Sequence, residues 1–411
     1  MSLIRPFAGL RPTPEYTEAV VAPPYDVLNT EEARQRAAGR PWSFLHISRP
    51  EIDLAKGISP YDPAVYAKGA ENLQKMIAQG VLKQDAKSLY YLYELVMDDH
   101  SQIGLVAAAS VVDYDSNRIR KHEFTRPDKE DDRVRQIDTL DAQTGPVLLT
   151  YKQDDTIQGL IDQLTSSTPI VDVTADDGII HRLWLVEEDT HIQTITDTFD
   201  AMPALYIADG HHRSASASRV AKMRNGEQAQ QDNAHDYFLV VMFPDTRMKI
   251  LDYNRVIKDL NDLDETSFLQ RVEENFQVQL ETEPFKPSHP GEFGMYLNDR
   301  WYRLDIHSQC IPKDDPVARL DVSLLSDYLI APILGITDPR RDKRIDFVGG
   351  IRGLEGLQAR VDSGEMKLAF SLFPTRMSDL MDVADANQVM PPKSTWFEPK
   401  LADGLVSHIL D

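Results

Sequence analysis

The sequence predicts a mixed α/β protein, and three observations carry that reading. Short apolar runs of strand length alternate with longer segments whose apolar residues recur every three to four positions. Hydrophobic residues make up 42% of the 411-residue chain and charged residues 27%, the composition of a folded globular protein. No segment repeats at a fixed period and none is of low complexity, which sets solenoids and arrays aside. A chain of this length is expected to hold two or three structural units. We divide it into an N-terminal mixed α/β region over 1–155, a middle region over 156–300 and a C-terminal α/β region over 301–411 that completes the site.

In chain order, Tyr66 to Gly80 reads as a helix, with Ala67, Ala70, Leu73, Met76 and Ile77 on one face and Gly80 as its stop. Leu89 to Leu95 and Gly104 to Val112 read as strands, and the polar turn Asp98-Asp99-His100-Ser101 is short enough to make them antiparallel partners. Lys121 to Arg126 reads as an edge strand. Alternation along it would place His122, Phe124 and Arg126 on one face and Glu123 and Thr125 on the other. Asp131 to Leu140 and Asp155 to Leu164 read as helices, then His181 to Val186 as a strand. Ala204 to Ala208 is a short apolar strand that stops at Asp209-Gly210, and a helix follows over His212 to Arg224, ended by Gly226. Tyr237 to Phe243 is a buried strand closed by Pro244. Glu265 to Phe276 reads as a helix, Trp301 to Leu304 as a strand, Ser323 to Leu334 as a buried helix, and Ile345 to Gly350 as a strand. Proline outnumbers glycine, 25 to 20, in short clusters that favour stiff, ordered loops over tethers.

Composition also excludes whole classes of function. The net charge is 44 − 66 = −22, which argues against wrapping a nucleic-acid backbone but leaves room for a small basic pocket. The longest apolar stretches fall short of the ~20 residues of a membrane helix. The first residues, Met1-Ser2-Leu3-Ile4-Arg5-Pro6, lack the apolar core of a secretory signal, so a cytoplasmic location is expected. Cys310 is the single cysteine, which forbids an intrachain disulfide and fits a reducing compartment. Its expected role is that of a small buried hydrophobe.

The sharpest local signal is Ala204-Leu205-Tyr206-Ile207-Ala208-Asp209-Gly210-His211-His212-Arg213, a strand entering a tight glycine turn and then a helix. A helix N-terminus presents unpaired amides and the positive end of its dipole, so anions bind there. Gly210 lets the backbone approach a phosphate, Arg213 can grip it bidentately, and His211 and His212 stand in the first turn. Asp209 can align a hydroxyl or hold a metal ion. Tyr25 and Asp26, in the stiff Pro23-Pro24-Tyr25-Asp26-Val27 loop, offer an aromatic and a carboxylate to a substrate, as His122 offers an imidazole. Glu123 is a candidate general base. Arg344, in the basic stretch Asp338 to Arg344, and Lys393, Ser394 and Thr395, in Met390-Pro391-Pro392-Lys393-Ser394-Thr395, are further candidates for holding phosphate. The latter lacks the glycines of a P-loop. G-x-S-x-G and H-E-x-x-H are both missing, and the spacings of His122, His181, His211 and His212 match no standard ligand pattern, so no metal ligands are assigned.

At Asp209-Gly210-His211-His212-Arg213 the sequence resembles the ParB and sulfiredoxin-like superfamily, and within it the ATP- or ADP-dependent free serine kinases, where the aspartate at the position of Asp209 is implicated in catalysis. Sulfiredoxins carry a catalytic cysteine where this chain has His211, so sulfinic-acid reduction is excluded. ParB proteins need a basic helix-turn-helix domain that is not visible here. Over nearly its whole length the chain also resembles a bacterial and archaeal family of unknown function, through Arg5-Pro6-Phe7, Val21 to Val27, His122-Glu123, Ala208 to Arg213 and Met390 to Thr395. The superfamily resemblance makes 156–300 a ParB-like region and implies a phosphotransfer enzyme acting on a small hydroxylated metabolite, serine or phosphoserine, as kinase or phosphatase. Asp209, Glu123 and His212 would be its catalytic groups, Mg²⁺ with ATP or ADP its cofactors, and a phosphorylated metabolite or nucleotide its partner. The alternatives are a nucleotide-binding regulatory protein without catalysis and a metal-dependent hydrolase using the histidines.

Overall fold

The computed structural model describes residues 2–226 and 232–410. The chain is mixed α/β, as the periodicities predict, and forms two compact units: 1–248 together with 399–411, and 249–398. Among the described residues, no helix is long and apolar enough to cross a membrane.

The first unit is built on a nine-stranded mixed sheet. Tyr90–Met97 and His100–Ser110 pair antiparallel from Tyr91↔Val106 to Met97↔His100 around the expected polar turn. Tyr237–Pro244 lies antiparallel to His100–Ser110 and parallel to Val147–Tyr151, while Ile180–Val186 pairs with Tyr90–Met97 on the other flank and is followed by Val171–Thr174 at that edge. Leu205–Asp209 runs antiparallel to Val147–Tyr151, with the short strand Ile119–Arg120 parallel to it at the edge. Strands buried on both faces read as continuous apolar runs, and Tyr237–Pro244 is buried at every position. Ile157 and Ile161 of the helix Asp155–Thr165 and Ile195 and Phe199 of the helix Asp189–Ala201 pack with Leu105, Leu149 and Met242 in one core. A second core joins Leu73 and Met76, from the helix Pro63–Ala78, to Phe44, Leu45 and Leu140.

The second unit carries an antiparallel six-stranded sheet with the helix Gly353–Asp362 packed on it through Leu357, against Val256, Tyr296 and Trp301. Cys310 is buried and free in this unit.

Three sequence expectations are corrected here. Lys121 to Arg126 forms no strand: the edge strand ends at Arg120, His122 is buried at 2% exposure while Phe124 stands 75% exposed, and the two share no face. The helix from Glu265 stops at Val272, because Phe276 is drawn into a strand, Phe276–Glu281, that pairs with Ile306 through Trp301. The helix read from Ser323 begins at Asp321 and passes through a π-helical turn, Ser326–Ile330, before ending at Leu334.

Candidate functional site

The site is assembled at the end of the strand Leu205–Asp209. Its pairing with Val147–Tyr151 slips between Ile207 and Asp209, so the strand leaves the sheet one residue out of step and turns sharply. Gly210 makes the turn at φ 98°, a left-handed conformation that costs an L side chain, and the helix His211–Asn225 starts at once. Gly210 has no side chain with which to cap the helix, so the first-turn amides are left for another acceptor. A Cβ on Gly210 would lie 3.3 Å from the Val147 Cα and 3.3 Å from Arg213 Nε. Gly210→Ala is therefore expected to cost about 1–3 kcal/mol from backbone strain and crowding. Gly57→Ala, at φ 88° with nothing within 4 Å, should cost only the strain. Chemical denaturation of both variants checks this; equal losses would show that the close packing at residue 210 is immaterial.

Arg213 lies on the buried side of the turn with its side chain 12% exposed. It donates to the Pro146 carbonyl, approaches Asp26 Oδ2 at 3.7 Å, and stands 5.9 Å from the centre of the Tyr25 ring. Burial opposes its charge, but Asp26, Tyr25, Asp209 and Asp403 outweigh that and hold the guanidinium firmly protonated. Tyr25, Arg133, Arg213 and Asp403 line a narrow cleft of about 30 Å³ with Thr144 and Gly145, room for about two waters. Arg133 stands over the same aromatic, 4.2 Å from the Tyr25 ring centre. Burial pushes the Asp403 carboxyl up to about 7, against the pull of Arg213.

Asp209, at the strand's end, is ion-paired with Lys400 Nζ at 3.2 Å. Burial would raise its pKa, but Lys400 and Arg213 hold the carboxyl well below the usual range, so it is ionised at neutral pH. His211 turns inward, 3% exposed: its Nδ1 faces Glu123 Oε2 at 3.5 Å and its Nε2 accepts from the His122 amide over a long 3.5 Å. The His122 and His211 rings meet edge-on, 4.5 Å apart. Burial pushes both imidazoles down, His122 to about 4, so both are neutral. What His211 offers a ligand at the turn is its main-chain amide. His212 Nε2 accepts from the Arg126 amide at 3.1 Å.

The structure thus brings Tyr25, Asp26, His122, Glu123, Asp209, Gly210, His211, His212 and Arg213 into one corner of the first unit. Arg344, Lys393, Ser394 and Thr395 belong to the second. There Arg344 bonds Asp342, Asp259 and the Leu334 carbonyl. Ser394 donates to the Pro391 carbonyl, the Lys393 carbonyl accepts from Arg255, and Thr395 follows them in the chain. His181 bonds Tyr93, away from the other histidines in its contacts, and among the described residues no group of three His, Cys, Asp or Glu is placed to hold a metal.

Sequence reasoning missed Lys400, Asp403 and Arg133. Lys400 and Asp403 arrive on the final segment, 191 residues beyond Asp209 in the case of Lys400. That segment is fixed by main-chain bonds between Asp403 and Ala22 and by the Ala402 amide donating to the Tyr93 hydroxyl. No local motif marks them; the one available signal was Arg133, a cation among the acidic residues of a helix already expected.

Several solved structures resemble the chain at low overlap. A conserved hypothetical protein from Pyrococcus furiosus is 14% identical over 73% of this chain and 94% of its own, with a TM-score of 0.36. A free serine kinase variant in complex with AMP is 12% identical over 78% of this chain and 93% of its own, with a TM-score of 0.38. SbnI from Staphylococcus aureus, truncated at its C-terminus, is 11% identical over 72% and 85%, with a TM-score of 0.39. None of the curated proteins matches. A family model does match, over residues 4–323, more than half of the chain, and the chain belongs to that family, DUF1015, described as a protein of unknown function.

Proposed function

We propose that this protein is a cytoplasmic phosphotransfer enzyme that moves a phosphoryl group to or from the hydroxyl of a small metabolite, serine or phosphoserine. One observation carries the reading: an uncapped helix N-terminus opened by Gly210 at φ 98°, with Arg213 buried behind it and the Asp209–Lys400 ion pair beside it. Main-chain amides and a guanidinium bind phosphate oxygens. Phosphoryl transfer asks chiefly for positioning and charge stabilisation, which these groups supply without a strong base. Asp209, ionised and held by Lys400, orients the hydroxyl, and Lys400 offsets charge on the transferring group. Glu123, exposed and tied to His211, is the second carboxylate available to take the proton, and His212 borders the same turn. Tyr25 and Asp26 flank Arg213 on the substrate side, with His122 supporting the turn from beneath.

Magnesium binds through one or two carboxylates plus substrate phosphates and keeps its remaining waters. Asp209 fits that mode: Mg²⁺ would neutralise phosphate charge, and in the kinase direction ATP or ADP would be the phosphoryl donor, leaving as the nucleotide one phosphate shorter. The ParB-like character of the strand-turn-helix is part of this proposal.

Phosphorus NMR tests both directions at once, with ATP or ADP plus serine in one sample and phosphoserine alone in another. Formation of phosphoserine with loss of a nucleotide phosphate identifies the kinase; free phosphate from phosphoserine identifies the phosphatase. Asp209→Asn should lower turnover about 10²–10³-fold, the size of losing one transition-state electrostatic contact. Nucleotide binding without turnover of either sample would replace the enzyme with a nucleotide sensor.

A further inference from the structure

Phe124 has the highest exposure among the large hydrophobic side chains of the described residues. Single exposed apolar residues are ordinary, so exposure alone decides nothing; what sets Phe124 apart is how its loop is fastened. On one side, the His122 amide donates to His211 Nε2 and Glu123 reaches His211 Nδ1. On the other, the Arg126 amide donates to His212 Nε2. Thr125 is tied to Glu130 in the helix that follows. The two consecutive histidines of the turn are therefore posts to which the loop is bound, and Phe124 stands between the two attachments. Neither ring carries charge to an anion in this arrangement, because each uses a ring nitrogen to accept from a loop amide. The other aromatic at the turn, Tyr25, is already covered by Arg133 at 4.2 Å. Val27, 43% exposed, is a second solvent-facing apolar side chain, next to the Asp26 that approaches Arg213.

A phosphate alone needs no aromatic beside it, whereas a nucleobase gains from stacking on one, whatever its hydrogen-bond edge. A pre-fastened loop also spares most of the ordering cost of binding. We propose that Phe124 is the stacking platform for the base of a nucleoside di- or triphosphate whose phosphates sit at the turn from Gly210 to Arg213. This rests on the anion-binding reading of that turn and extends it: it gives the nucleotide's base a seat and gives His211 and His212 the task of holding the platform in place.

Calorimetric titration of the full chain with ADP and, separately, with inorganic pyrophosphate distinguishes the two layers. The wild-type protein is expected to bind both, with ADP tighter. Phe124→Ala should weaken ADP about tenfold, the size of one lost base–aromatic stack, and leave pyrophosphate unchanged. Phe124→Trp should restore ADP affinity and give an indole emission that ADP quenches and pyrophosphate does not. If Phe124→Ala leaves ADP unchanged, or weakens both ligands equally, the platform is overturned while the turn stands. If neither ligand binds the wild-type protein, the turn and the platform fall together.

Discussion

Arg213→Ala is expected to remove pyrophosphate and nucleotide binding and, at the same time, to destabilise the first unit by about 2–3 kcal/mol. The two losses have different causes. Binding goes because this guanidinium stands on the turn itself, and the amides of a single helix end hold a phosphate weakly without it. Stability goes because Asp26, Asp403 and the Pro146 carbonyl are arranged around that cation. Breaking a buried ion pair by deleting one partner costs about 3–5 kcal/mol. The figure is lower here because the Asp26 side chain is 45% exposed and Asp403, already pushed up to about 7, can take a proton. Arg213→Lys separates the effects: it keeps a charge beside Asp26 but loses the planar fork, so urea denaturation should recover most of the stability while calorimetry recovers little of the affinity. Wild-type affinity for pyrophosphate in Arg213→Ala, with the fold intact, would move the anion site away from this turn.

How much of this could be read beforehand depends on the range of the interactions. The strand pair 90–97 and 100–110 and the strand-turn-helix through residue 210 were legible because each is decided locally. Alternation or continuous burial marks the strand, a polar turn joins the pair, and a glycine breaks one element and starts the next. The segment from Lys121 to Arg126 misled because five polar residues around Phe124 suit an exposed edge strand, while its conformation is set by the two histidines 89 and 86 residues later that bind its amides. The helix at Glu265 was read too long for a similar reason: Phe276 is compatible with either period, and strand pairing to Ile306 decides between them. Lys400 and Asp403 carry no motif. Their place beside Asp209 and Arg213 follows from the chain returning to the first unit at residue 399, which no window of sequence contains.

Acidification is expected to unfold the first unit between about pH 6.5 and pH 4, through its buried histidines. His122, His181 and His408 are each pushed down to about 4, first by burial, and His211 is pushed well below its ordinary value. The folded state binds these protons less readily than the unfolded chain, so their contribution is fully present above the unfolded value of about 6.5 and is lost as the pH falls. At pH 4 each of the three costs about 3 kcal/mol, which together rivals the whole stability of a domain, about 5–15 kcal/mol. Two groups act oppositely. Asp403, raised to about 7, and His46, raised by its hydrogen bond to Asp53, both favour the folded state more as the pH falls. They offset part of the loss, and the histidines prevail by number; Asp209, whose carboxyl is depressed to about 2, adds its own loss only below about pH 4. The order of events follows from one chain of hydrogen bonds, in which the Ala402 amide donates to the Tyr93 hydroxyl, which lies 2.7 Å from His181 Nδ1. The hydroxyl accepts from Ala402 through one lone pair, and its proton is free to be donated to Nδ1. A proton on His181 removes that acceptor and loosens the segment that brings Lys400 and Asp403 to the turn. His181→Asn keeps an acceptor near that position and cannot be protonated there. Its acid midpoint, followed by circular dichroism, should move to lower pH, and anion binding should persist further into acid than in the wild-type protein. A midpoint unchanged by the substitution, or a wild-type transition confined below pH 4, would assign acid lability to the carboxylates and leave the histidines as ordinary core residues.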